Sequence, residues 1–199
     1  MNGPARGVPA WALGSATLAP VALVGGWTLA AGRQPPQYSA VRETISALAA
    51  RGATDRWIMT AGLAALGVCH AITALGLRPA RPRGRWLLAT GGLATVVVAA
   101  APQPEHGSAP VHLAAAAVGF VTLALWPAFA AGSERPVVLS RRCGLIVTAL
   151  LLALLVWFGV ELGGGAAVGL SERMLAGAQA LWPLIVVLVL RVRTARMAR

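Results

Sequence analysis

Apolar residues fall in six long runs along this chain, Val8–Ala30, Trp57–Leu77, Trp86–Ala101, Val111–Ala131, Cys143–Leu162 and Met174–Leu190, and polar residues collect between them. A membrane-spanning helix takes about 20 apolar residues at a rise of about 1.5 Å each. The pattern predicts an all-α integral membrane protein, a six-transmembrane-helix bundle forming one domain over residues 1–199. The third and sixth runs are short for a bilayer. Their helices are expected to continue by a turn into the headgroups, to lean on snorkelling arginines, or to thin the bilayer locally.

The ends of the runs carry stop and start chemistry. Asp55 is placed to cap the second helix, and Ser108 followed by Pro110 reads as an N-cap with proline in the first turn of the fourth. Ser140 is placed to cap the fifth, and Gly132 and Gly163 stand where the fourth and fifth should stop. Trp11, Trp27, Trp57 and Trp86 lie near the predicted interfaces, where amphipathic rings settle. Trp126 and Trp182 do not; each sits in an Ala-Leu-Trp-Pro run, at 124–127 and 180–183, where a proline can kink the helix. The first run is too long for the h-region of a signal peptide and carries two prolines, so it is expected to remain as a helix.

Between the first two runs, the extended stretch Gln34-Pro35-Pro36-Gln37 leads into residues 38–50. There Val41, Ile45, Leu48 and Ala49 recur at helical spacing. This predicts a short amphipathic helix in the first outer loop, resting on the ends of the bundle.

Charge gives the orientation. Twelve arginines and Glu134 occupy the N-terminal tail, residues 78–85, residues 132–142 and the C-terminal tail, whereas the alternate connections hold five arginines and five acids. The whole formal charge of +11 thus lies on one side, the positive-inside pattern with both termini cytoplasmic. The arginines flank spans and form no stripe interleaved with aromatics, so anionic membrane lipid is the partner they imply, and no nucleic acid is expected. With 57% apolar and 12% charged residues the chain has too little polar surface to coat a soluble globule. Arginine without a single lysine, beside abundant Ala, Gly and Pro, reflects a GC-rich coding sequence. Cys69 lies within a run and Cys143 opens another, which implies no disulfide framework. The oligomeric state is not legible.

Candidate chemistry gathers on the other side: Tyr38, Arg42, Glu43 and Ser46 in the first outer connection, Glu105, His106 and His112 at the second, Glu161, Glu172 and Arg173 at the third. These either pair locally as solvated loop charges or converge on one outward-facing pocket. His112 lies one turn inside a helix, where a polar group must find a partner. A metal site would draw on His106 and His112 with Glu105, Glu161 or Glu172, but no ligand spacing supports one, so neither metal nor cofactor is expected. Ser46 with His112 as base would make a nucleophile pair, lacking a Gly-x-Ser-x-Gly setting. His70 cannot share a haem with His112, because their depths differ by on the order of 15 Å. It is expected to bond a carbonyl or Thr73 inside the bundle. Coupled transport finds no repeated broken helices and little mid-membrane charge to support it.

Three motifs in order, Tyr38-x-x-x-Arg42-x-Thr44-Ile45-Ser46-x-Leu48 before Trp57, Pro104 before His112, and Gly169-Leu170-Ser171-Glu172-Arg173 leading to Leu181-Trp182, resemble the bacterial six-helix membrane proteins of domain-of-unknown-function family 998 over essentially the whole chain. In that family an acidic residue often follows the proline after span three, as Glu105 does here. A weaker likeness runs to the six-span Frag1/DRAM/Sfk1 group, with an Ile-Ser before span two and a histidine in span four. That group is associated with membrane lipid organisation, so the likeness implies a lipid-facing role.

The expected function is binding or organising a lipid or small amphiphile at the outer face of a bacterial plasma membrane. The cavity is expected to be roofed by residues 38–50 and walled by His112, Ser46 and Glu172 or Arg173, with Tyr38, Arg42 and Glu43 as further ligand contacts. Arg173 is expected to pair with the Glu43 carboxylate and clamp the roof. The alternative is an intramembrane enzyme acting on a lipid headgroup or isoprenoid, with His112, Glu172 and Ser46 as catalytic candidates beside Arg173.

Overall fold

The computed structural model of the chain describes residues 7–104, 109–133 and 136–197. Six α-helices follow one another: α1 (Ala10–Ala31), α2 (Trp57–Gly76), α3 (Pro82–Ala100), α4 (Pro110–Ala130), α5 (Arg141–Leu162) and α6 (Val168–Met197). Among the described residues there is no strand, and the architecture is all-α. Five of the helices, all but α3, are long and apolar enough to cross a membrane. Helix α3 opens on Pro82-Arg83-Gly84-Arg85, which lowers its hydropathy without shortening it. Both short apolar runs are extended, α3 at its start by a proline-led turn and α6 at both ends to 30 residues.

Each helix packs on the next, and α6 closes the ring against α1 while also touching α2 and α4. Small residues set how closely they approach. Gly67 of α2 and Gly92 of α3 face each other so tightly that a Cβ on either would run into the other's carbonyl oxygen. Ser15 and Thr73 share a hydrogen bond of 2.8 Å between α1 and α2. Outside, large apolar side chains such as Leu29, Leu75, Leu93, Leu150 and Val160 stand exposed, an arrangement stable against lipid and not against water.

The arginine-rich connections share one end. There Arg85 closes α2 through the carbonyls of Ala74 and Leu75 (2.8 and 3.0 Å), Arg191 of α6 bonds the Val8 carbonyl (2.9 Å), and the Arg81 amide bonds Ala130 (3.0 Å). Arg78, Arg83, Arg141, Arg142, Arg193 and Arg196 remain exposed.

Ser140 caps α5 by accepting the Cys143 amide at 3.3 Å, Gly163 ends that helix, and Pro110 opens α4. Ser108 and the arginines at 6, 135 and 199 lie outside the described residues. Asp55 is not a cap. It takes a left-handed φ of 49°, a conformation Asp tolerates, and only its carbonyl serves the helix start, accepting from Ile58. Pro20, Pro127 and Pro183 lie inside α1, α4 and α6. Both cysteines are free.

Candidate functional site

Residues 32–56 lie over the end of the bundle opposite the arginines and form its roof. Gln34 clasps the two limbs of this segment: its amide donates to the carbonyls of Ala30 and Thr54 and accepts the Thr54 amide, at 2.9, 2.9 and 3.2 Å. Arg51 ties the roof to the α3–α4 connection through the Gln103 carbonyl at 3.0 Å.

The amphipathic helix expected over 38–50 is replaced by turns and one 3-10 turn, Ser46–Ala49. The reason is competition for backbone groups. In a continuing helix the Ile45 amide would bond the Val41 carbonyl. Here the Val41 carbonyl is taken by the amides of Gly169 and Leu170 (2.8 and 3.1 Å), the unsatisfied donors at the start of α6, and the Ile45 amide donates to the Glu172 carboxylate. Ile45, Leu48 and Ala49 are nevertheless buried and Val41 is exposed, so the apolar pattern seats the roof without making a helix. Gly169 is required at this joint, because a Cβ would collide with the Glu43 and Ala40 carbonyls.

Arg173 clamps the roof, but not through the Glu43 carboxylate. Its guanidinium donates to the carbonyls of Ala40, Glu43 and Gly169 (2.8, 2.8 and 2.9 Å) and to the Tyr38 hydroxyl (2.6 Å). The Glu43 carboxylate is engaged locally, accepting the Ser39 amide at 3.1 Å. Burial raises the Tyr38 phenol above its ordinary value, against the opposite pull of Arg173, which keeps it a neutral hydroxyl.

His112 is buried and fully bonded. Its Nδ1 lies 2.9 Å from the Ala101 carbonyl and its Nε2 3.1 Å from Ser46 Oγ. A carbonyl can only accept, so Nδ1 carries a proton; the single hydroxyl proton of Ser46 is contested between His112 Nε2 and the Glu172 carboxylate, which that hydroxyl also bonds. This has the reach of a nucleophile–base pair. Acyl transfer would also need free donors for an oxyanion. The amides of Ile45 and Ser46 beside that hydroxyl both point at the Glu172 carboxylate. The arrangement binds roof to α4 and α6 and leaves no oxyanion site among these groups.

Beneath the roof lies a narrow chamber of about 50 Å³, open on one side. Ile45 and Ser46 close its top, and α1, α2, α3, α4 and α6 supply the walls, among them Leu23, Leu66, Val98 and Phe120. Helical spacing sets its depth. Glu172, Ala176 and Gln179 share one face of α6, with Gln179 about 10 Å below Glu172. Leu63, Leu66 and His70 do the same on α2. Gln179 donates to the Phe120 carbonyl at 2.9 Å, and Thr95 to its own helix at Gly91. Both ring nitrogens of His70 and the Gln179 Oε1 are buried with no hydrogen-bond partner among the described residues. The bond expected from His70 to Thr73 or to a carbonyl is absent; Thr73 bonds Ser15 instead.

The expected site residues therefore divide. Ser46 and Glu172 line the chamber; His112 stands behind Ser46, and neither it nor Arg173 belongs to the chamber lining. Tyr38 and Glu43 line a shallow polar depression on the outer surface of the roof, and Arg42 is exposed. Of the metal candidates, Glu105 and His106 lie outside the described residues, and Glu161 holds the α5–α6 loop through the Ala167 amide (2.8 Å) and Trp157 (3.3 Å). No three His, Cys, Asp or Glu gather among the described residues. Sequence reasoning missed Gln34, Thr95 and Gln179. The signal for Gln179 was present, since it is the one amide in the apolar run 174–190.

The family model for proteins of unknown function DUF998 matches residues 17–189, and the chain belongs to that family. No curated protein and no solved structure matches the chain.

Proposed function

We propose that this DUF998 protein spans a bacterial plasma membrane six times, with both termini and the connections 78–85 and 132–142 in the cytoplasm, and that it binds a lipid or small amphiphile in the chamber beneath the roof. The observation that carries this reading is the chamber itself: apolar walls from five helices, Ser46 and Glu172 at the top, and below them the His70 nitrogens and Gln179 Oε1, without partners among the described residues. Sites for small amphiphiles combine an apolar lining with a few placed polar groups in this way. Mass spectrometry of the protein purified in mild detergent tests it. A lipid or amphiphile retained in stoichiometric amount, and displaced when Leu66 is changed to Trp to fill the chamber, is the expected result; a delipidated protein of unchanged stability, with nothing retained, removes the reading.

The enzyme alternative draws support from the 3.1 Å approach of Ser46 and His112. It requires the roof to lift so that Glu172 releases the amides of Ile45 and Ser46. Turnover of a lipid ester abolished by Ser46→Ala, with lipid still bound, would favour it over simple binding.

Orientation has its own test. Gly84 packs against Ala130, so a cysteine there disturbs the α3–α4 contact, whereas Arg83 is exposed. In a background without Cys69 and Cys143, Ser39→Cys should react with an impermeant thiol reagent on intact cells and Arg83→Cys should not. The reverse pattern inverts the topology.

A further inference from the structure

The polar groups facing the chamber restrict what it can hold. His70 and Gln179 are each 1% exposed, lie more than one helical turn inside their helices, and line the same space. Gln179 has given one of its two N–H groups to Phe120 and keeps the other beside its Oε1, while Thr95 has given its hydroxyl proton to Gly91 and presents only lone pairs. In its neutral form the His70 ring presents one donor and one acceptor. The free inventory is thus three acceptors and two neutral donors, in apolar walls with no arginine among the lining residues and with the Glu172 carboxylate at the top.

Each ligand class meets this inventory differently. A phosphate or carboxylate would find two neutral donors, three competing lone pairs, no cation and an acid at the mouth, too little to offset its desolvation. A bare hydrocarbon would leave the His70 nitrogens and the Gln179 oxygen orphaned, at a cost each time. An ammonium would meet neutral acceptors but no counter-charge at that depth. A hydroxyl both donates and accepts, so it can give its proton to Gln179 Oε1 and receive one from the His70 ring.

Resting on the reading of the chamber as a binding site, we propose that its floor holds the hydroxyl end of an uncharged amphiphile, an aliphatic or isoprenoid alcohol, between His70 and Gln179. The polar end of the ligand then lies about 10 Å below the roof, and its chain threads the narrow apolar space lined by Leu23, Leu66 and Phe120 toward the open side. His70 and Gln179 select the hydroxyl, while Ser46 and His112 keep the roof in place above it.

The test offers delipidated full-length protein in detergent four deuterated probes of one chain length, hexadecanol, hexadecane, hexadecanoate and hexadecylamine. What remains after gel filtration is measured by mass spectrometry. Hexadecanol should be retained about tenfold or more over each of the others, the scale of one or two buried hydrogen bonds. His70→Leu and Gln179→Leu should each abolish that preference while hexadecane retention is kept or raised, and His70→Gln, which restores a donor and an acceptor, should recover much of it. Elution position and melting temperature identify any variant that fails to fold, and the two independent positions keep the test decisive. Equal retention of hexadecanol and hexadecane by the wild type overturns the hydroxyl assignment but leaves a chain-binding chamber. Preference for hexadecanoate or hexadecylamine overturns it in favour of a charged ligand. Retention of no probe overturns both the assignment and the binding reading beneath it.

Discussion

His112 and His70 are buried to the same degree, 2% and 1% exposed, yet one has both ring nitrogens bonded and the other has neither bonded among the described residues. His112 lies where the roof, α3 and α4 meet, so a backbone carbonyl and a serine hydroxyl are both within reach. His70 lies within α2 on the chamber wall, where Thr73 is bonded to Ser15 and Thr95 to Gly91. The difference teaches how to separate architecture from binding in a protein with few polar side chains. A buried polar group whose bonds are complete holds the fold together; one whose bonds are missing among the described residues points to a ligand only where it lines a cavity, as His70 does and Trp126, whose indole N–H is also unpartnered in the packed core, does not.

The largest expected effect comes from the acid that seats the roof. Glu172→Leu strands the amides of Ile45 and Ser46 in a dry site, and each orphaned donor costs about 1–3 kcal/mol. A loss of about 3 kcal/mol should appear in thermal unfolding in detergent, with faster amide exchange confined to residues 38–50. A variant as stable as the wild type would show that the roof is held by Arg173 and Gln34 alone.

The two histidines should then separate in sign. His112→Leu leaves the Ala101 carbonyl without that partner and the Ser46 hydroxyl with the Glu172 carboxylate alone, for a loss of about 1–3 kcal/mol. His70→Leu removes two unsatisfied nitrogens from an apolar chamber, so in delipidated protein it should leave stability unchanged or raise it by up to about 1 kcal/mol, a gain of the kind bought at the expense of binding. Two equal losses would mean that His70 has a structural partner and would dissolve the distinction.

Helix number and most helix ends were legible in the chain because apolar length and capping chemistry are local. Pro110, Ser140 and Gly163 act through their own neighbours, and each does what its type dictates. The roof was legible only in its burial pattern. Its backbone is decided by Gly169, Leu170 and Glu172, more than 120 residues away, which take the very groups that a local helix needs. Arg173 was correctly expected to clamp the roof and wrongly given a carboxylate, because carbonyl oxygens carry no sequence signal. The same limit hid the chamber floor: Gln179 and His70 stand out as lone polar residues in apolar runs, but that they line one space follows from how α2 and α6 pack.

The smallest effect expected at the roof concerns Tyr38, the outermost member of the clamp. Tyr38→Phe removes the hydroxyl that Arg173 donates to at 2.6 Å while leaving its three carbonyl partners in place. The cost should be about 0.5–1.5 kcal/mol, the net worth of one hydrogen bond. The dependence on pH gives a second signature. The phenol is raised above its ordinary value of 10.0, chiefly by burial, so the folded state keeps its proton at a pH where the unfolded state has begun to lose it. By linkage the stability Tyr38 contributes is complete below the unfolded value and falls as pH climbs above it. Melting temperatures compared at neutral and strongly alkaline pH should therefore converge for wild type and Tyr38→Phe as pH rises. A constant gap across that range would place the phenol in free exchange with solvent and detach it from the clamp.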